Sequence, residues 1–202
     1  MLLAGGIGAS VLVSAGPAGA QTCLAGVSCS ITGTLTLTSG TLSITTPSTL
    51  TWAGVVSGVD QTLVDALPAD QTYLVSNATG ITTGWHVTVS ATTFTTTGSI
   101  SLASIGTFAT NGSLVSMTAS TAPTATCLSG STCTLPTNST AYPVAITTAS
   151  ATPTPYNVFD AATSTGLGSI TIGSVGWWLN LPSNTLAGVY TSTILMMITT
   201  GP

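Results

Sequence analysis

The chain has 202 residues with no Lys or Arg, four acidic side chains and one His, so charged residues make up 2% of it, where soluble domains carry roughly 25%. Mean hydropathy is +0.61, and 43 Thr with 25 Ser supply a third of the sequence. Nothing here neutralises phosphate, which excludes nucleic acid as a partner, polybasic attachment to a membrane, phosphoryl transfer through Lys or an Arg finger, and Schiff-base chemistry on Lys.

Residues 1–20 read as an export signal. Leu2, Leu3, Ile7, Val11, Leu12 and Val13 make a short apolar core, Ala18-Gly19-Ala20 offers small residues for cleavage, and Gln21 becomes the mature start. A basic n-region is missing. The rival reading, a retained membrane helix, is poorly served by Gly5, Gly6, Gly8 and Gly16 ahead of Pro17, and by an apolar run shorter than about 20 residues. The mature chain, 21–202, is read as one domain without a membrane span. Its charge of -4 comes from Asp60, Asp65, Asp70 and Asp160. So little charge leaves nothing to keep molecules apart, which suits a protein that assembles, sits on a surface or carries sugar.

The four cysteines repeat one pattern, C-L-x-G-x-x-C, at Cys23–Cys29 and again at Cys127–Cys133. In an exported chain these are read as disulfides. Three connectivities are open, and the local pairs are favoured because Gly at the fourth position lets the loop fold back. A metal site is the rival; the spacing is not that of a zinc ligand pair.

Period-two alternation dominates, with no long helical stripe. Thr34–Leu37 and Leu42–Thr45 read as strands joined by a hairpin at Ser39-Gly40. Trp85–Ser90 alternates cleanly, with Trp85, Val87 and Val89 inward and His86 on the polar face. Further strands are expected at 113–118, 142–147, 169–172, 175–181 and 189–199. Turn signals recur at Asn77–Gly80, Asn111-Gly112 and Pro182–Asn184. Two stretches read as loops: 118–136, and the Ser/Thr/Pro run 150–157. Many short strands of this kind predict an all-β fold, an antiparallel β-sandwich of Ig-like or Greek-key type with two short disulfide loops. Sequons stand at Asn77, Asn111 and Asn138 as candidate glycosylation sites. Sheets usually guard their edges with charge, above all Lys, and this chain has none. Its edges must be covered, closed or paired with a partner. The run Ile194-Leu195-Met196-Met197-Ile198 is apolar at consecutive positions, which predicts burial on both faces, either as a central strand or donated to a neighbour.

Catalysis fits poorly. His86 is the one general base available for a Ser-His-Asp triad, and no G-x-S-x-G elbow occurs. Asp60, Asp65 and Asp70 recur every five residues, a spacing that matches neither a helix face nor a calcium loop, and they read as solvated loop carboxylates. No catalytic residue, metal or cofactor is expected.

Gly84-Trp85-His86-Val87-Thr88-Val89-Ser90-Ala91-Thr92-Thr93-Phe94 resembles the strand around the first Trp motif of the WxL domain of Gram-positive surface proteins, especially its actinobacterial relatives, with Val87 in place of the Leu. The second motif of that family, Y-x-x-x-(L/I/V)-T-W-x-L-x-x-x-P, is matched in spacing by Tyr190, Ile194, Ile198 and Pro202, while Leu195 and Met196 replace its Thr-Trp pair. The approach Leu181–Tyr190 and the opening Gly40–Ile44 are similar as well. The resemblance implies export, a β-sandwich and non-covalent attachment to the cell wall, through peptidoglycan. Trp85 and Tyr190 carry over as motif positions. Trp85 alternates with Val87 and Val89 and so reads first as core. Trp177 and Trp178 are adjacent, so a strand points them to opposite faces, and the more exposed of them would be a carbohydrate contact. Two functions are expected from this reading: a non-enzymatic, extracellular surface protein bound to cell-wall glycan, or a self-assembling filament or coat subunit whose partners are other copies of itself.

Overall fold

The structure, a computed structural model, describes residues 24–65, 67–96, 107–111 and 122–202. The chain falls into two units, residues 1–37 and 38–202. In the first, residues 24–37 contain one turn, closed by Val27 N donating to Leu24 O at 3.0 Å, and no strand. The strand expected at 34–37 is therefore corrected. The alternation is present, but a strand needs a neighbour to take up its backbone groups, and among the described residues none pairs with these.

The second unit is all-β. Its strands are β1 (Leu42–Thr45), β2 (Gln61–Val64), β3 (Tyr73–Asn77), β4 (Trp85–Ala91), β5 (Thr107–Asn111), β6 (Thr124–Cys127), β7 (Val144–Thr147), β8 (Tyr156–Ala161), β9 (Gly168–Gly173), β10 (Gly176–Leu181) and β11 (Ile194–Thr200). They form antiparallel sheets ordered β1-β3-β9-β6, β2-β10-β5-β7 and β11-β4-β8. Among the described residues, no two strands consecutive in this order pair with each other. The hairpin expected at Ser39-Gly40 is accordingly absent. Instead Gly40 N donates to Ala78 O and Ser39 Oγ to Thr79 O, which fastens the entry to β1 onto the end of β3.

One core joins the sheets. Trp85, Val87 and Val89 of β4 point inward as the alternation requires and meet Val75 of β3, Ile170 and Ile172 of β9, and Phe159 of β8. The Trp85 ring stacks on Phe159 at 6.0 Å, and its Nε1 donates to Gly166 O at 2.8 Å, so the buried indole keeps its hydrogen bond. β10 is central in its sheet and covered on both faces. Trp177 and Trp178 do point to opposite sides, yet both are buried.

Several expectations change here. β2, β3 and β5 were not expected, β6 lies inside the stretch read as loop 118–136, and β8 begins within 150–157. The strand expected at 113–118 lies outside the described residues. β11 is neither central nor covered twice. Among the described residues it is an edge strand whose ladder partner is β4, and Leu195 and Met197 on its outer face are 59% and 55% exposed. The apolar run reflects a strand whose outer side chains remain in solvent.

The Cys127–Cys133 disulfide forms within its loop, with Cα atoms 5.5 Å apart. Gly130, at φ +80°, is the third residue of the turn that Ser131 N closes onto Leu128 O at 2.9 Å. A left-handed residue at that place is why the motif carries Gly. Cys29 is disulfide-bonded as well, while Cys23 lies outside the described residues.

Candidate binding groove

Chain segment 46–56, which follows β1, runs alongside the approach to β11 and leaves an apolar groove between them of about 830 Å3. Leu63 of β2 and Leu179 and Leu181 of β10 supply apolar surface from below, and Ile194 and Met196 of β11 line one side. Trp52 meets Phe94 edge to face at 5.8 Å, and both reach the groove. Trp52 Nε1 donates to Trp177 O at 3.0 Å, which anchors the 46–56 wall to the central strand β10. Tyr190 closes the opposite wall, its hydroxyl donating to Leu186 O at 3.0 Å. The remaining lining is aliphatic or bears Ser and Thr hydroxyls, and no carboxylate or imidazole lies among the described lining residues. Such a surface binds through apolar contact and hydroxyl hydrogen bonds.

Behind the wall stands a buried carboxyl pair. Asp65 accepts from Thr51 N at 2.9 Å and Leu67 N at 3.0 Å, so its carboxylate ties the groove wall to the end of β2. Asp70, in the 3-10 turn Pro68–Gln71, is also buried, and its Oδ2 has no hydrogen-bond partner. Burial pushes the Asp70 carboxyl above its ordinary range, and the adjacent Asp65 carboxyl pushes it further. The expectation of solvated loop carboxylates is thus corrected for Asp65 and Asp70. Backbone N–H groups compensate Asp65, and a raised pKa favours the neutral form of Asp70. Asp60 is exposed, as expected, and accepts from Ser183 N at 2.7 Å.

Of the residues singled out in the sequence, only Tyr190, Ile194 and Met196 meet at the groove. Trp85 and Trp177 are core, and Trp178 is covered, so none presents a ring face to a ligand. His86 lies on the outer face of β4, half-buried, with Nδ1 2.6 Å from Gly201 O. Its cross-strand neighbour Asp160 is buried and accepts from the backbone N–H and hydroxyl of both Ser139 and Thr140, at 2.7 to 3.1 Å. That carboxylate holds a loop in place. Asn138 belongs to the same network: its Nδ2 donates to Tyr142 Oη at 2.9 Å, and its Oδ1 accepts from Thr140 N and Asp160 N. Asn77 is buried and donates to Gly166 O at 3.0 Å. A glycan on either amide would have to break these bonds. Asn111 ends β5, and its side chain lies outside the described residues.

Trp52 and Phe94 are the groove residues that sequence reasoning missed as binding candidates. The only trace of the first is one period of alternation, Leu50-Thr51-Trp52, too brief to register as a strand. Compared with protein-family models, curated proteins and solved structures, the chain matches none.

Proposed function

We propose that this chain is a non-enzymatic protein of the cell surface that attaches non-covalently to the wall and uses the groove beside Tyr190 as its contact site. The observation that carries this reading is the groove itself, an open trough with Trp52 and Tyr190 at its walls, Ser and Thr hydroxyls among its lining, and no acid or base among its described lining residues. Aromatic rings and hydroxyls are the groups that hold a sugar chain without reacting with it. The likeness of Gly84–Phe94 and Tyr190–Pro202 to WxL motifs supports peptidoglycan as the ligand class and an extracellular location. Binding of the purified chain to isolated cell walls tests the proposal. Wild type should be retained, and Tyr190→Ala should lose most retention while melting like wild type. Wild type that washes off in mild buffer, or full retention by Tyr190→Ala, would overturn it. Trp85→Ala is unsuitable as a probe, because it empties the core.

A second reading, self-assembly into a filament or coat, is favoured by one specific observation: among the described residues β11 is an edge strand of its sheet, with Leu195 and Met197 exposed and no charged side chain of its own.

A further inference from the structure

Segment 46–56, which forms one side of the groove, belongs to no strand. Two of its ties to the sheet end at one place. Thr51 N donates to Asp65 Oδ2 at 2.9 Å, and Trp52 Nε1 donates to Trp177 O at 3.0 Å. Asp65 N donates to the same Trp177 O, and Trp177 Nε1 donates to Asp70 O, so the segment, β10 and both carboxyl residues form one hydrogen-bonded cluster.

The charge balance of this cluster is unusual. Asp65 is 0% and Asp70 5% exposed, and their carboxyl groups hydrogen-bond to each other. Two buried anions side by side need a compensating positive charge. The chain has no Lys or Arg, and its one His stands on β4, bonded to Gly201 O. Asp60 and Asp160 are engaged elsewhere, with Ser183 and with Ser139 and Thr140. Segment 46–56, β2, the 3-10 turn and β10 add no further acid, base or Tyr, and Tyr73, which begins β3, interacts with Tyr142 rather than with the pair. The compensating charge is therefore a proton. Asp65 keeps its negative charge because both its oxygens accept backbone N–H groups, and Asp70, whose Oδ2 has no such donor, carries the proton. Burial and the Asp65 carboxyl both favour this; the Thr51 N–H opposes it more weakly, which sets the segment's amide against both acids.

We propose that the proton shared by Asp65 and Asp70 latches the groove: while it is present segment 46–56 is held at Thr51, and its loss frees the segment and weakens binding. This regulation belongs to the groove described above as the cell-wall contact and rests on that reading. Once the proton leaves, two charges occupy one buried site and one carboxylate must reach water. Trp177 and the core close the inner side, whereas Thr51 is exposed, so the way out lies through segment 46–56. The folded chain holds the proton above the ordinary carboxyl value of 3.8, so the latch is closed in acid and opens as pH rises through the elevated folded value. Beyond that point affinity falls with the closed fraction, by about tenfold per pH unit, the slope of one proton.

Two variants test the latch. Asp70→Asn puts a permanent N–H where the shared proton stood and should keep it closed at every pH. Asp65→Asn leaves one amide oxygen for two N–H donors, Thr51 and Leu67, and should keep it open. Circular dichroism first fixes the pH range in which the chains are folded, and Asp70→Asn alone decides the matter if Asp65→Asn does not fold. Within that range, amide exchange of segment 46–56 is divided by the intrinsic rate at each pH. Wild-type protection should fall about tenfold per pH unit once the proton leaves, with Asp70→Asn protected and Asp65→Asn unprotected throughout. Wild-type retention on isolated cell walls, taken as a ratio to Asp70→Asn so that titration of the cell walls cancels, should fall in step. Wild-type protection that ignores pH, or a fall that Asp70→Asn shares, overturns the proposal. A segment that loosens while the retention ratio holds overturns it too, and leaves cell-wall attachment standing. No retention at any pH sinks attachment and its regulation together.

Discussion

The C-L-x-G-x-x-C loop occurs in two settings. Around Gly26 and around Gly130 the local geometry is the same: φ near +80°, and an N–H three residues after the Leu donating to its carbonyl at about 3 Å. Their surroundings differ. The second loop is stitched into a sheet. β6 pairs with β9 before it, Leu128 N donates to Ser169 O within it, and Thr134 exchanges both backbone bonds with Leu167 after it. The pairing thus resumes in the same direction across the disulfide, which closes off an excursion from an edge strand. The first loop leads instead into the exposed segment 31–37. The comparison teaches that seven residues suffice to encode the turn, while docking requires a complementary surface elsewhere in the chain.

Substitutions separate what the two copies share from what they do not. The largest expected effect is at Gly168, where φ is +90° and a Cβ would stand 3.0 Å from Thr132 O and 3.1 Å from Cys133 Cβ. Gly168→Val should lower stability by about 3 kcal/mol through backbone strain and displacement of the docked loop, measured by urea unfolding. Next, replacing Cys127 and Cys133 by Ser should cost about 2 kcal/mol, the value for closing a loop of this length. The matching replacement of Cys23 and Cys29 should leave the unfolding curve of the sandwich where it was, because that loop belongs to the other unit. Smaller still, Gly130→Ala should cost about 1 kcal/mol, with Gly26→Ala silent in the same measurement. Equal losses from both members of either pair would show that the first loop also docks.

A pH titration sharpens the contrast further, since residues 24–37 contain no acid, base or Tyr. Any pH dependence of side-chain origin belongs to the second unit, 38–202. The folded-state pKa of Asp70 lies above its ordinary value of 3.8, through burial and then the Asp65 carboxyl. The folded form therefore holds that proton more tightly. Its contribution to stability is complete below 3.8 and is lost as pH rises through the elevated folded value. Asp70→Asn should raise the melting temperature at pH 7 and remove that part of the slope between acid and neutral pH. An unchanged slope would mean that the carboxyl is not where the proton binds.

The legible parts of this fold were those governed by neighbours along the chain. Alternation located β1, β4, β7, β9 and β10, and the Gly in each Cys motif forecast its turn. The illegible parts were those governed by distant partners. β6 is four residues, Thr-Ala-Thr-Cys, whose order comes from lying against Ile170 and Ile172. β8 follows Pro153 and Pro155, which read as a loop. β2 and β3 flank Asp65 and Asp70, whose polarity suggested solvent until backbone N–H groups of Thr51 and Leu67 were seen to satisfy Asp65. The groove was invisible for the same reason, because its walls come from segments more than a hundred residues apart in sequence, 46–56 and 185–196. Tyr190, which lines the groove, was among the residues singled out in the sequence, and Trp52 was not.

The strand order has a consequence for how the molecule comes into being. β2 waits for β10, and β4 first for β8 and then for β11, so a chain released from its N-terminal end carries bare strands until the last ladder partner has emerged. Contact order is high, closure is late and collective, and sticky intermediates persist meanwhile. The interval before the last strand is available is therefore when a holding chaperone would matter most.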